Sequence, residues 1–316
     1  MIKLQTKIAL QPEKHQIDYA SKVLLLGSCF ATNIGEKFDY FKFQHLVNPF
    51  GISFHPIAIE TLVTRAINET YFTEDDIFYH NEQWCCFEAH SALSVIEKEV
   101  YLRILNERLI QLNEYIKSAS HIIFTYGTSW VYRFIETDSI VANCYKVPQK
   151  KFLKELLSEE DISASIDNVI ILIQSVNPEV NVITTVSPVR HIKDGLLENT
   201  RSKAQLITGL HKEVLSKNRI YYFPSYEIMM DELRDYRFYK EDLIHPNNTA
   251  ISIIWEAFKE VWVSSSTHEI QKEISTIQRG LLHKPFNKES LEYQKFLKSI
   301  EHKIVSIQSK YPKINF

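Results

Sequence analysis

Short apolar runs alternate along the chain with stretches whose apolar residues recur every three or four positions. Residues 22–26 (K-V-L-L-L) read as a buried strand ended by Gly27, and Ala31, Ile34, Phe38 and Phe41 then fall on one face of a helix. Residues 44–47 read as a weak second strand before N-P-F-G, and 56–67 as a helix. The period fails over 70–95, an aromatic and irregular stretch that predicts a hairpin or a lid. Beyond it the pattern predicts an amphipathic helix over 96–118, a strand over 121–126 ended by Gly127, and a helix over 161–176 stopped by Pro178. A strand over 180–186, a helix over 201–216 and a strand over 220–223 follow, and Asn248 is placed to cap a helix over 249–263. Strands separated by such helices predict right-handed βαβ units and a parallel sheet covered on both faces. Sheets of this kind bind ligands at the carboxyl ends of their strands.

From about residue 266 the pattern becomes purely helical, with one helix over 269–282 and a second capped by Asn287. Leu297, Ile300, Ile304 and Ile307 share one face of the second, among lysines that read as a solvated face. The expected organisation is an α/β body over 1–265, with a helical and aromatic insertion at about 57–118, and a helical extension over 266–316. That extension packs on the body or on a second subunit, so oligomerisation through it stays open.

Composition narrows the function classes. A chain of 316 residues, 45% hydrophobic and 24% charged, is ordinary for a soluble globular protein with a sizeable core. A net charge of −3 gives no bulk field toward nucleic acid or an anionic membrane, and neither is expected as a partner. The opening M-I-K-L-Q-T-K-I-A-L interrupts its apolar residues with charges, unlike a signal peptide, and no run approaches a membrane span. Cys29, Cys85, Cys86 and Cys144 form neither a disulfide framework nor a zinc pattern. A cytoplasmic protein without a metal is the expectation.

Only seven glycines are present, and Gly27, Gly51 and Gly127 each follow a strand, in G-S-C-F-A, N-P-F-G-I-S and Y-G-T-S. Any one alone is ordinary loop chemistry; together they suggest a shared site. Ser28 would stand at a strand–turn–helix junction, where free N–H groups and the helix dipole favour a developing oxyanion. A serine nucleophile needs a base, and the base an orienting partner. Asp242 and His245, in E-D-L-I-H-P, are three apart, so the carboxylate can fix the imidazole tautomer and leave the other nitrogen for Ser28. An isolated Asp-x-x-His is more commonly a helix-start or surface pair; with Ser28 it becomes far more specific.

This combination resembles the SGNH hydrolase superfamily and, within it, the GSCFA family, whose five letters stand here as Gly27-Ser28-Cys29-Phe30-Ala31. N-P-F-G-I-S-F-H-P at 48–56, Y-G-T-S-W-V-Y at 126–132, V-A-N-C-Y-K-V-P at 141–148, S-P-V-R-H at 187–191 and D-L-I-H-P at 242–246 look like that family too. The resemblance covers roughly residues 20–260. It implies a three-layer α/β/α, flavodoxin-like fold, with ester hydrolysis or acyl transfer and no cofactor. It maps Ser28 to the nucleophile, His245 to the base, Asp242 to the orienter, and the Ser28 and Gly51 N–H groups to the oxyanion hole. The superfamily's usual Gly-x-Asn reads Gly127-Thr128-Ser129 here, so the resemblance leaves the Ser129 hydroxyl or the Asn143 amide as candidates for the third donor. Loss of one such donor costs about a hundred- to a thousandfold in rate.

Cys29 reads as a small buried hydrophobe. Arg190, His191, His55 and His90 are candidates for substrate binding, with a loop-closing ion pair the alternative for Arg190. Tyr79, Trp84 and Phe87 read as a lid or as the insertion's own small core, and Tyr126, Trp130, Val131 and Tyr132 as packing. The readings that follow are a serine esterase acting on a small-molecule or carbohydrate ester, an O-acyltransferase with the same triad, and a degenerate SGNH domain that only binds. A nucleotide-binding fold is disfavoured, because both G-x-G-x-x-G and G-x-x-x-x-G-K-[ST] are missing.

Overall fold

The computed structural model describes residues 5–316, so the first four residues of the N-terminal stretch read above lie outside the described residues. The elements run β1 (Lys22–Gly27), α1 (Cys29–Tyr40), β2 (Gln44–Val47), α2 (Pro56–Ile67), β3 (Phe78–His80), β4 (Gln83–Cys85) and α3 (Lys98–Ser118). Next come β5 (His121–Tyr126), β6 (Trp130–Phe134), β7 (Ser139–Val141), β8 (Phe152–Leu156), α4 (Glu159–Val176), β9 (Asn181–Val186) and α5 (Leu196–Ser216). The chain closes with β10 (Ile220–Tyr222), the single turn α6 (Ser225–Glu227), α7 (Asn248–Trp262), α8 (His268–Leu281) and α9 (Leu291–Lys310).

Five strands form one parallel sheet in the order β10-β9-β5-β1-β2. The period of two in each strand sorts side chains between two cores. Leu24, Leu26, Ile122, Phe124 and Val182 face one layer, where Leu62, Leu105, Ile166 and Leu206 cover them from α2, α3, α4 and α5. Val23, Leu25, Ile123 and Ile183 face the other, against Phe38, Trp255 and Ile274 of α1, α7 and α8. This is the α/β/α sandwich the resemblance implies. From β1 the chain moves outward to β2 and then back across to β5, so the connections diverge at the carboxyl ends of β1 and β5 and open a crevice there.

The structure departs from the sequence reading in four places. α2 and α3 lie in the cover layer of the sheet, so the added part of the predicted insertion is the loop and hairpin between them. β6, β7 and β8 form a separate antiparallel sheet in order β7-β6-β8, which the sequence reading missed. Asn247, not Asn248, caps α7, its Oδ1 accepting from the N–H groups of Thr249 and Ala250 at 3.1 Å each. Ser290, not Asn287, caps α9.

The helical extension packs on its own domain: Ile270, Ile274, Ile277, Ile300 and Ile307 join the core of Phe38 and Trp255. No helix among the described residues is long and apolar enough to cross a membrane.

Candidate active site

Gly27 ends β1 at φ +141°, where a Cβ would lie 2.1 Å from the Thr125 carbonyl oxygen. Only glycine lets the strand end pass this close to β5. Its N–H donates to Asn48 Oδ1 (2.8 Å), and its carbonyl accepts from Ser53 N–H (3.0 Å). The next residue, Ser28, is fully buried and caps α1. Its N–H donates to Thr125 O at 2.9 Å, and its Oγ accepts from Phe30 N–H at 3.3 Å.

Gly51 stands at φ +78° with its N–H on Asn48 O (2.7 Å), and a Cβ there would meet His90 Cβ at 2.3 Å. The Ser28 and Gly51 N–H groups are thus both engaged. Either would have to exchange its carbonyl for a substrate oxyanion.

On the other side, His245 Nδ1 lies 2.7 Å from Asp242 Oδ2. Asp242 Oδ1 also accepts from the N–H groups of Ile244 (2.9 Å) and His245 (3.0 Å). These backbone bonds, and then the imidazole, pull the Asp242 carboxyl down to about 2. The ring's Nε2 has no hydrogen-bond partner among the described residues. Ser28 and His245 are not hydrogen-bonded to each other in this structure.

The turn that carries the pair is tight. Leu243 sits at φ +57°, and Lys240 N–H donates to His245 O at 2.8 Å. Arg190 buttresses it, its N–H on Ile244 O (3.3 Å), Nη1 on Leu243 O (3.4 Å) and guanidinium 4.2 Å from the Tyr239 ring centre. Arg190 therefore supports the loop in this geometry, and among the described residues it makes no ion pair of the kind weighed from sequence. Burial pushes the Cys29 thiol up while the Lys203 and Lys240 charges pull it part-way back, so the Ser28 turn and the Lys240–His245 turn share one electrostatic neighbourhood.

Ser129 is fully buried and turned into α5: its N–H donates to Ser202 Oγ (2.8 Å) and its Oγ to Ser202 O (3.1 Å). Asn143 differs. Its Oδ1 accepts from Tyr145 N–H at 2.9 Å, which fixes the amide and leaves Nδ2 without a partner among the described residues. Asn143 lines a cleft of about 270 Å³ with Phe54, His90, Trp130, Tyr132 and His191. Trp130 and Tyr132, read from sequence as packing, are thus cleft walls.

The histidines divide. His55 borders the cleft but is buried: Ala58 N–H donates to its Nδ1 and its Nε2 pairs with Val141 O, both at 3.1 Å. Burial holds it neutral, pushing its pKa down to about 4. His90 accepts from Ala92 N–H at Nδ1 (3.2 Å). His191 packs edge-on against Phe54, its Nε2 buried without a hydrogen-bond partner among the described residues. Burial first, then the Lys203 and His245 charges, push it down to about 3.

Sequence reading missed Asn199, Ser202 and Lys203, all buried on α5. Asn199 Oδ1 accepts from His191 N–H (2.8 Å), Ser202 holds Ser129, and Lys203 Nζ donates to Gly127 O and Ser187 O at 2.7 Å each. The available signal was their i, i+3, i+4 spacing in line with the apolar Leu206 and Leu210.

Among known proteins, the GSCFA family model matches residues 22–258, and a second, described as the C-terminal domain of GSCFA domain proteins, matches 274–316. No curated protein matches the chain. Similar solved structures include a carbohydrate esterase family 3 protein from Talaromyces cellulolyticus, at 9% identity and TM-score 0.34 over 80% of this chain and 99% of that one. A Clostridium thermocellum family 3 carbohydrate esterase gives 9% and 0.36 over 80% of this chain and 97% of that one. An acetyl xylan esterase from the rumen bacterium Butyrivibrio proteoclasticus gives 11% and 0.34 over 77% and 64%.

Proposed function

The chain belongs to the GSCFA family, and on that footing we propose that it is a serine-type carboxylic ester hydrolase. The observation that carries the reading is the Asp242–His245 pair at 2.7 Å, which fixes the imidazole tautomer and leaves Nε2 free. In the proposed reaction Ser28 Oγ attacks the ester carbonyl and His245 Nε2 takes its proton. The oxyanion draws the Ser28 and Gly51 N–H groups off their carbonyls and meets Asn143 Nδ2 as the third donor. The tetrahedral intermediate collapses, His245 protonates the departing alcohol, and water attacks the acyl-serine by the same route in reverse. An acceptor hydroxyl in place of that water would make the protein an acyltransferase. The cleft of about 270 Å³ that Asn143, Trp130 and Tyr132 line has room for a short acyl group, and Ser28, Gly51, Asp242 and His245 stand outside its lining.

A second reading, a binding module without turnover, is favoured by one observation: Ser28 is fully buried and its Oγ bonds Phe30 N–H instead of His245. Hydrolysis of p-nitrophenyl acetate and an O-acetylated methyl glycoside separates the two. The esterase reading expects turnover of both by the wild type, with Ser28→Ala and His245→Ala at background. Wild-type rates equal to those of Ser28→Ala would leave the binding module.

A further inference from the structure

We propose that Lys203 is the positioning residue of the site: its ammonium clamps the turn after β5 to the turn after β9, and so sets the nucleophile half against the base half. The inference rests on the esterase reading but has a test of its own. Lys203 is 1% exposed, and its Nζ donates at 2.7 Å both to Gly127 O and to Ser187 O.

Each carbonyl leads to one half. The Gly127 turn follows β5, whose Thr125 O holds Ser28 N–H. The Ser187 turn continues into Arg190, whose N–H and guanidinium hold the Ile244 and Leu243 carbonyls beside His245. Asn199 and Ser202, on the same face of α5, fasten His191 and Ser129 of the same two turns.

The titratable groups near enough to act on the ammonium are Cys29 from α1 and His191 from the loop after β9, and the Tyr226 ring from α6 lies 5.7 Å away. No carboxylate among the described residues forms an ion pair with it. A buried cation bound only to carbonyls is costly for a fold to keep. Burial pushes it down to about 7, while two short bonds to carbonyls favour the charged form. Simple packing at this position would be served by methionine or leucine.

The test is hydrogen–deuterium exchange on wild type, Lys203→Met and Lys203→Gln. In Lys203→Met, segments 127–129, 189–191 and 242–245 should exchange at least tenfold faster, with β1, β5, β9 and the Ser187 N–H that bonds Tyr126 O unchanged. Glutamine, too short to span both carbonyls, should free one turn and leave the other protected, which keeps the test decisive if the methionine variant does not fold. Loss of the Lys203 charge should also move the His191 ring titration to higher pH by NMR, an effect that mere packing would not produce. Wild-type exchange in all three segments of both variants would overturn the clamp. Fluorophosphonate labelling of the wild type reads the esterase proposal separately: no labelling alongside released turns would sink that reading and leave the clamp standing.

Discussion

Ser28 and His245, the two residues proposed to act together, differ in setting: the first is sealed in and the second is open. Ser28 is fully buried, and Thr125, Asn48, Ser53 and Phe30 hold the Gly27–Ser28 turn by hydrogen bonds. The side chains of His245 and Asp242 are 39% and 42% exposed, on a turn whose outside support comes from Arg190. The difference teaches where precision comes from. Ser28 is placed by the sheet itself, through a strand end that admits only glycine. His245 is placed at second hand, through a chain of contacts running from Lys203 by way of Ser187 and Arg190 to Leu243 and Ile244.

The largest effects should fall on activity and spare this division. Ser28→Ala is expected to lower ester hydrolysis by about a thousandfold or more, and Asp242→Asn, which loses the correct tautomer, by roughly 10²–10⁴. Initial rates on p-nitrophenyl acetate check both; an Asp242→Asn enzyme as fast as wild type would remove the orienter from the account.

Gly27→Ala should break the sealed half. Its Cβ would lie 2.1 Å from Thr125 O, so a stability loss of about 2–4 kcal/mol is expected in urea unfolding. A loss under ~0.5 kcal/mol would mean that the strand end is not fixed as described.

Acid comes next. His55 and His191 are held neutral in the fold, with pKa values lowered to about 4 and about 3 from 6.5. As pH falls below 6.5 the unfolded chain takes up these protons first, so the stability the neutral rings contribute is full above 6.5 and is lost between there and the folded values. The urea midpoint should fall from pH 7 to pH 4.5, less steeply in His55→Asn, which can still cap α2. An equal slope in that variant would acquit His55.

The smallest effect belongs to the open half. His245→Ala should leave stability within ~0.5 kcal/mol of wild type, because the ring is exposed and its main structural bonds are those of its backbone. Denaturant midpoints decide that.

The same division explains what the sequence could tell. The central strands β1, β5 and β9 were legible because parallel strands buried on both faces leave continuous apolar and β-branched runs, such as V-L-L-L and V-I-T-T-V, whereas the half-buried edge strand β2 read as weak. β6, β7 and β8 were not, because they are only 5, 3 and 5 residues long and lack a continuous apolar run. Ser28, Asp242 and His245 stood out through their motifs, and Asn143 as a nearby amide. That Ser129 turns into α5 depends on Ser202, 73 residues away, which no local pattern reveals. Asn199, Ser202 and Lys203 stayed hidden for a related reason: polar residues at a helix start read as solvated unless two carbonyl-rich turns are known to lie over them.

The central claim is that the buried Ser28 is an activated nucleophile served by His245. Its most direct test is fluorophosphonate labelling of the purified protein, with the modified peptide located by mass spectrometry, beside Ser28→Ala and His245→Ala. The account predicts a single adduct on Ser28, absent in the first variant and slowed at least a hundredfold in the second. A folded wild-type protein that takes no label, or one labelled equally fast without His245, would contradict it.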